Sequence, residues 1–264
     1  MCTIIKVNQI QKEYLCHSFN NSTNTLNIEK LQIEKGKFVG ILGISGSGKS
    51  TLAKLLVGLI QPDSGEIYLN FSNSEDLKNS EVCLTNHLTN TERTALRRKS
   101  RYIFQSPEAA LNPEMSVRGI LNEALKISEG RIDKVKAEQR IREQMAKVYL
   151  SSKFLDKYPR VLSTGQKRKV SLARALLTSP ELIIADEPLS GLDLIAGRKV
   201  IEVFKALKAE SKTILLITHD YLYMKELCDQ IIIIDGGRIS DIMNRSANGE
   251  FPVKDDKLHQ ILLQ

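Results

Sequence analysis

Tryptophan is missing from this chain, and aromatic residues of any kind are sparse, with 7 Phe and 7 Tyr among 264 residues. Basic residues are not interleaved with aromatics, so the sequence offers no stacking platform of the kind that grips single-stranded nucleic acid. Cysteine is scarcer still. Cys2, Cys16, Cys83 and Cys228 stand far apart, with neither a close pair nor a spacing that would ligate zinc or an iron–sulfur cluster. No apolar run is long enough to span a bilayer, and the first residues lack the basic patch and apolar stretch of a secretory leader. These absences lead us to expect a cytosolic protein with reduced thiols, which would serve a membrane only as a peripheral subunit.

What is present suits a packed globular core: 42% hydrophobic and 26% charged residues. The length fits one large domain, or a core with a subdomain inserted. An excess of Lys and Arg (38) over Asp and Glu (31) leaves a formal charge of +7. The basic residues are widely spread, with modest clusters at Arg97-Arg98-Lys99 and Lys167-Arg168-Lys169. We read them as solvated surface and phosphate attraction, with no nucleic-acid partner.

The most informative segment is Gly43-Ile44-Ser45-Gly46-Ser47-Gly48-Lys49-Ser50, followed by Thr51. It fits Gly, four residues, Gly-Lys-Ser/Thr, a cradle for nucleotide phosphates. Phe38 to Leu42 before it is short and apolar, as a buried strand should be, and Thr51 to Leu56 after it reads as a helix. Glycines at 43, 46 and 48 let backbone N–H groups approach phosphate oxygens, and the helix start adds its positive dipole end. Lys49 would reach the β- and γ-phosphates, and Ser50 would place a hydroxyl on Mg²⁺.

A second anchor is Leu182-Ile183-Ile184-Ala185-Asp186-Glu187. An apolar strand delivers two carboxylates to the carboxyl end of a sheet, where ligands of open α/β sheets bind. Asp186 is expected to hold Mg²⁺, and Glu187, one residue further and pointing elsewhere, to polarise an attacking water. Thr213 to Ile217 is another fully apolar strand, as in a parallel sheet covered on both faces.

The remaining pattern is less sharp. Residues 1 to 35 are strand-like, with loose alternation at Leu26, Ile28, Leu31 and Ile33 that suits an antiparallel sheet. Residues 70 to 95 are polar and read as a surface excursion. From Ser106 to about Arg160 the pattern is helical, with Ala137, Ile141, Met145 and Val148 on one face. Val170 to Leu177 reads as a helix, and Ile231 to Ile234 as a strand before a tight turn.

Leu162-Ser163-Thr164-Gly165-Gln166, lying between the two phosphate motifs, resembles the signature sequence of ATP-binding cassette proteins. Four further segments are similar to that family over nearly the whole chain. Gln105, after a strand and before Ser106-Pro107, looks like its Q-loop glutamine, which senses γ-phosphate and Mg²⁺. Ser190-Gly191-Leu192-Asp193 looks like its D-loop, and Thr218-His219-Asp220 like its switch histidine. Tyr14, or alternatively Phe19, would stack on adenine.

The resemblance implies an α/β fold. A P-loop NTPase core with a mostly parallel sheet and an N-terminal antiparallel β part would span 1–105 and 161–245. An inserted helical subdomain would span 106–160, with a short tail at 246–264. It also implies ATP and Mg²⁺ as ligands, and catalysis by Glu187, His219 and Gln105. Ser163, Gly165, Gln166 and Asp193 would serve a nucleotide held by a second ATPase subunit. One departure stands out: family members usually carry Gly where this chain has Thr164. The added Cβ makes an asymmetric pair with a paralogue more plausible than a homodimer.

Arg97 to Pro113, containing Phe104-Gln105-Ser106-Pro107 and Leu111-Asn112-Pro113, resembles the corresponding region of importers for peptides, nickel and metal chelates. The expected partners are integral permease subunits at the cytoplasmic face of the membrane and, indirectly, an extracytoplasmic solute-binding protein. His259 to Leu263 faintly resembles a segment preceding a cysteine-bearing extension in longer members; the expectation that this short chain lacks that extension tilts the reading towards nickel or metallophores. The competing class is a cassette protein of DNA repair or translation, disfavoured because neither a long coiled coil nor a second cassette is visible.

Overall fold

The computed structural model describes residues 2–15, 23–71, 81–130 and 132–252. Phe19 and the segment His259 to Leu263 lie outside these residues, so the expectations placed on them go no further. Strands are β1 (Thr3–Leu15), β2 (Thr23–Glu34), β3 (Phe38–Leu42), β4 (Ser64–Asn70), β5 (Glu81–Cys83), β6 (Ser100–Ile103), β7 (Leu182–Asp186), β8 (Thr213–Ile217), β9 (Gln230–Asp235) and β10 (Arg238–Asn244). Helices are α1 (Lys49–Leu56), α2 (Asn90–Lys99), α3 (Val117–Glu129), α4 (Lys134–Lys147), α5 (Thr164–Leu176), α6 (Leu194–Ala209) and α7 (Tyr221–Leu227).

Two sheets organise the chain. A six-stranded sheet runs in the order β10-β9-β3-β8-β7-β6, and a four-stranded one in the order β2-β1-β4-β5. From β9 to β6 every pairing in the larger sheet is parallel, and β10 returns antiparallel to β9. The smaller sheet is antiparallel throughout. The expected α/β class, mostly parallel with an antiparallel part, is therefore what the chain adopts.

Successive side chains of a strand leave on opposite faces, which explains the uniformly apolar strands. Ile183 and Ala185 of β7, with Ile214 and Leu216 of β8, enter a core shared with α3 to α7. Leu182, Ile184, Leu215 and Ile217 enter a second core shared with α1 and the antiparallel sheet. Both faces are covered, so neither needs polar residues. All five residues of β3, of β7 and of β8 are buried.

Three local expectations change. The polar excursion at 70–95 contains β5 and the start of α2, which is closed by a capping box: the Thr89 hydroxyl accepts from Glu92 N–H while the Glu92 carboxylate accepts from Thr89 N–H. Helix α5 starts at Thr164, two residues before the start near Gln166 that the signature segment implies, and takes in the helical stretch read from Val170. Arg168, read as solvated surface, is only 5% exposed. Among the described residues no helix is long and apolar enough to cross a membrane.

Candidate functional site

The parallel strands end at a cleft of about 870 Å³. The loop from β3 to α1 and the first turn of α1 form its floor, lining it with Gly43, Ser45, Gly46, Ser47, Gly48, Lys49, Ser50 and Thr51. Two of the glycines are steric necessities. A Cβ on Gly43 would lie 2.2 Å from the carbonyl oxygen of Ile234. Gly48 caps α1 at φ 101°, and a Cβ there would lie 2.9 Å from Leu26 Cδ1. No side chain caps α1, so its first turn can accept an anion from outside the helix. The Ser47 hydroxyl is buried without a protein partner. An orphaned polar atom in a loop of backbone donors fits a phosphate oxygen.

Lys49 donates to the carbonyls of Gly43 and Ile44 at 2.8 and 2.7 Å. Burial pushes the pKa of its ammonium down, and the carboxylates of Glu187 and Asp186 pull it back up. The cation thus faces two acids across the cleft.

Asp186 closes β7 and is buried, and Tyr102 of β6 donates its hydroxyl to Asp186 Oδ2 at 2.6 Å. Burial is the main reason the Tyr102 phenol is pushed far above its ordinary range, with the Asp186 bond adding to it. Sequence reasoning missed Tyr102. Only the pairing of β6 with β7 brings it to the site, by setting Tyr102 beside Ile184, two residues before Asp186.

Glu187 sits just past β7 with φ 45°, a left-handed backbone that a non-glycine residue adopts at a cost of about 1–2 kcal/mol. Several bonds hold it there. Its N–H donates to Ile217 O at 2.9 Å. Its carboxylate accepts from His219 N–H at 3.1 Å and from the Thr218 hydroxyl at 3.3 Å. His219 Nδ1 lies 2.9 Å from Glu187 Oε1. The carboxylate is thus oriented by the end of β8, while the imidazole itself is largely exposed towards the cleft.

Gln105 and Tyr14 also line the cleft, as do Thr25, Leu26, Gly236 and Gly237, which the sequence reading did not single out. Tyr14 is 42% exposed, with the Lys12 ammonium 5.9 Å from its ring centroid. Ser163, Gly165, Gln166 and Asp193 do not line this cleft. Ser163 N-caps α5 in a second capping box with Gln166, and Asp193 N-caps α6 by accepting from Ala196 N–H. Thr164 takes ordinary right-handed backbone at the first helical position, so its side chain brings no backbone strain.

A glycine loop, a lysine, a buried acid and a strained glutamate paired with a histidine together make a site able to hold a nucleoside triphosphate and activate water. The family profile described as ABC transporter matches residues 26–190. The nickel import ATP-binding protein NikE of Escherichia coli (strain 536) is 37% identical, over 90% of this chain and 85% of that protein. A candidate peptide import ATP-binding protein of Brucella ovis is 32% identical, over 90% of this chain and 71% of its own. The dimeric post-hydrolysis structure of the ATP-binding cassette MJ0796 with ADP and phosphate superposes with a TM-score of 0.76 at 25% identity, covering 91% of this chain and 98% of that one. The structure of cbiO1 from Clostridium perfringens, part of the transporter complex cbiONQ, gives 0.71 at 25% identity, over 92% and 89%. The chain belongs to the ABC transporter family, as one of its ATP-binding cassettes.

Proposed function

We propose that this cassette hydrolyses ATP to drive an importer of nickel, metal chelates or short peptides. The observation that carries the reading is the Glu187–His219 pair, set opposite the glycine loop in one cleft. The relatives that are nickel and candidate peptide import proteins support the cargo class. ATP is held by the loop N–H groups, Ser45, Ser47 and Thr51, with Lys49 against the β- and γ-phosphates. Tyr14 stacks on adenine. Ser50, Asp186 and Gln105 would supply oxygen ligands for Mg²⁺, which would offset the charge of the phosphates. Glu187 accepts the proton of the attacking water, and His219 holds that carboxylate and faces the γ-phosphate.

Ser163, Gly165, Gln166 and Asp193 lie away from their own cleft, which supports a role at the nucleotide of a facing cassette. The Ser163 hydroxyl accepts from Gln166 N–H, leaving its own proton for a phosphate oxygen. The facing cassette is a paralogue or a second copy.

The proposed permease surface is a second cleft of about 780 Å³, lined by Arg93, Arg97, Arg101, Arg174, Tyr102 and Phe104 among others. No carboxylate among the described residues lines it. Burial, with Arg174 as a like charge, pushes the Arg101 pKa down to about 10. A permease segment bringing a carboxylate would relieve that repulsion. The chain would then work at the cytoplasmic membrane face, below an extracytoplasmic solute-binding protein.

The decisive experiment is Glu187→Gln. ATP affinity should be retained, steady-state hydrolysis should fall by about 100-fold or more, and ATP should trap a dimer visible by size exclusion. Unchanged hydrolysis would remove Glu187 as the base.

A further inference from the structure

Arg168 lies in the second turn of α5, only 5% exposed, and its side chain is shared between two catalytic loops. Nη1 donates to the carbonyl of Glu187 at 2.9 Å, and Nη2 to the carbonyl of Gln105 at 2.8 Å. Its Nε, also buried, has no partner. Burial pushes the guanidinium pKa down, and Glu108 and Glu187 oppose that shift from a distance. A buried cation held by neutral carbonyls is a costly way to fill space. What the guanidinium offers in return is geometry: a planar fork fixes the separation of the two oxygens it binds, which a single ammonium cannot do.

The neighbouring contacts show what the fork is attached to. Lys167 pairs with Glu108 at 2.9 Å, and Arg174 donates to the carbonyl of Ala110 at 2.5 Å. Three cations of one helix therefore grip the segment from Gln105 to Ala110. Only Arg168 also reaches the loop after β7, where Glu187 is held at φ 45°. Its bond to the Glu187 carbonyl, together with that from Ser190 N–H at 3.2 Å, fixes the peptide that follows the strained residue. The same helix is N-capped by Ser163, five residues upstream.

We infer that Arg168 is a positioning residue for hydrolysis, tying the carbonyls of Gln105 and Glu187 to α5 so that the base is set by the seating of the helix that carries Ser163. This rests on the reading of Glu187 as the base. A displacement of α5 moves both loops together, so the half-site offered to a facing cassette and the base in its own cleft share one mechanical link.

The test uses the full-length chain and the variants Arg168→Met and Arg168→Lys. With Met, kcat should fall at least tenfold while the KM for ATP and the affinity for a non-hydrolysable analogue stay within twofold. With Lys, which can satisfy one carbonyl at a time, kcat should fall between the two. The absence of native tryptophan gives a second readout. A Phe104→Trp reporter, adjacent to Gln105, should change its emission on binding the analogue, and Arg168→Met should abolish that change. Should the Met variant fail to fold, the same kcat-against-KM split and emission change are read on Lys. A kcat within twofold of the parent, or KM rising in step with the loss of kcat, would overturn the inference. Glu187→Gln separates the layers. If it still turns over, the reading of the base fails. If it is inert while Arg168→Met is fully active, only the role of Arg168 fails.

Discussion

Lys49 carries its charge in surroundings that partly oppose it. Burial lowers its pKa from 10.5, while the acids opposite restore some of the loss. A bound triphosphate adds charge that favours the ammonium, so binding above the pKa of the free site requires proton uptake. ATP affinity should therefore decline with rising pH before 10.5 is reached, as calorimetry across alkaline buffers would record. Lys49→Ala should weaken ATP binding by about tenfold or more, roughly 1.4 kcal/mol per decade. The lysine bonds only to carbonyls of its own loop, so the fold should survive its removal. Tyr102 is the other residue with a distinct expectation. Tyr102→Phe frees Asp186 to rotate, so the Mg²⁺ concentration for half-maximal hydrolysis should rise severalfold while metal-free nucleotide affinity is unchanged.

Two helices share one device and differ in use. Both α2 and α5 begin with a capping box, built on Thr89 and on Ser163. Removing either hydroxyl should cost about 1 kcal/mol of stability by thermal or denaturant unfolding. Only Ser163→Ala should also lose ATP-dependent dimerisation and turnover, because only that hydroxyl is assigned to a second nucleotide. Equal loss of turnover in Thr89→Ala would refute the distinction. The comparison also marks what the sequence made legible. Strands β3 and β7 announced themselves by apolar runs abutting chemical residues, Gly43 just past the one and Asp186 at the end of the other. Helix α2 was written in Thr89-Asn90-Thr91-Glu92 but hidden by its polar composition. Arg168 was concealed differently, between Lys167 and Lys169. Consecutive helical residues point about 100° apart, so three basic residues in a row cannot all face solvent on a packed helix. Which of them turns inward depends on where α5 meets its neighbours, and that is tertiary information. The Tyr102–Asp186 bond was hidden for the same reason, since it needs the pairing of two strands separated by 78 residues, from Ile103 to Leu182.

The molecule as a whole is divided by its six-stranded sheet into two apolar interiors. Phe38 and Phe204, both fully buried, meet edge to face at 5.9 Å in the helical one. Phe204→Ala should destabilise the chain by roughly 3–5 kcal/mol. Nucleotide affinity per folded molecule should be unaltered, because Phe204 does not line the cleft. A covered sheet carries a further liability. With oily residues on both sides, hydrophobicity does not say which way a strand should sit, and a slip of one position swaps one apolar set for another. The ends of β7 resolve the ambiguity. Glu181 is tied to Lys99 by side chain at 2.7 Å and by backbone at 2.8 Å, and Glu187 N–H is tied to Ile217 O. A frame error would present the wrong acid to the phosphate, so an ion pair at the far end of the strand acts as proofreader for the chemistry at the near end.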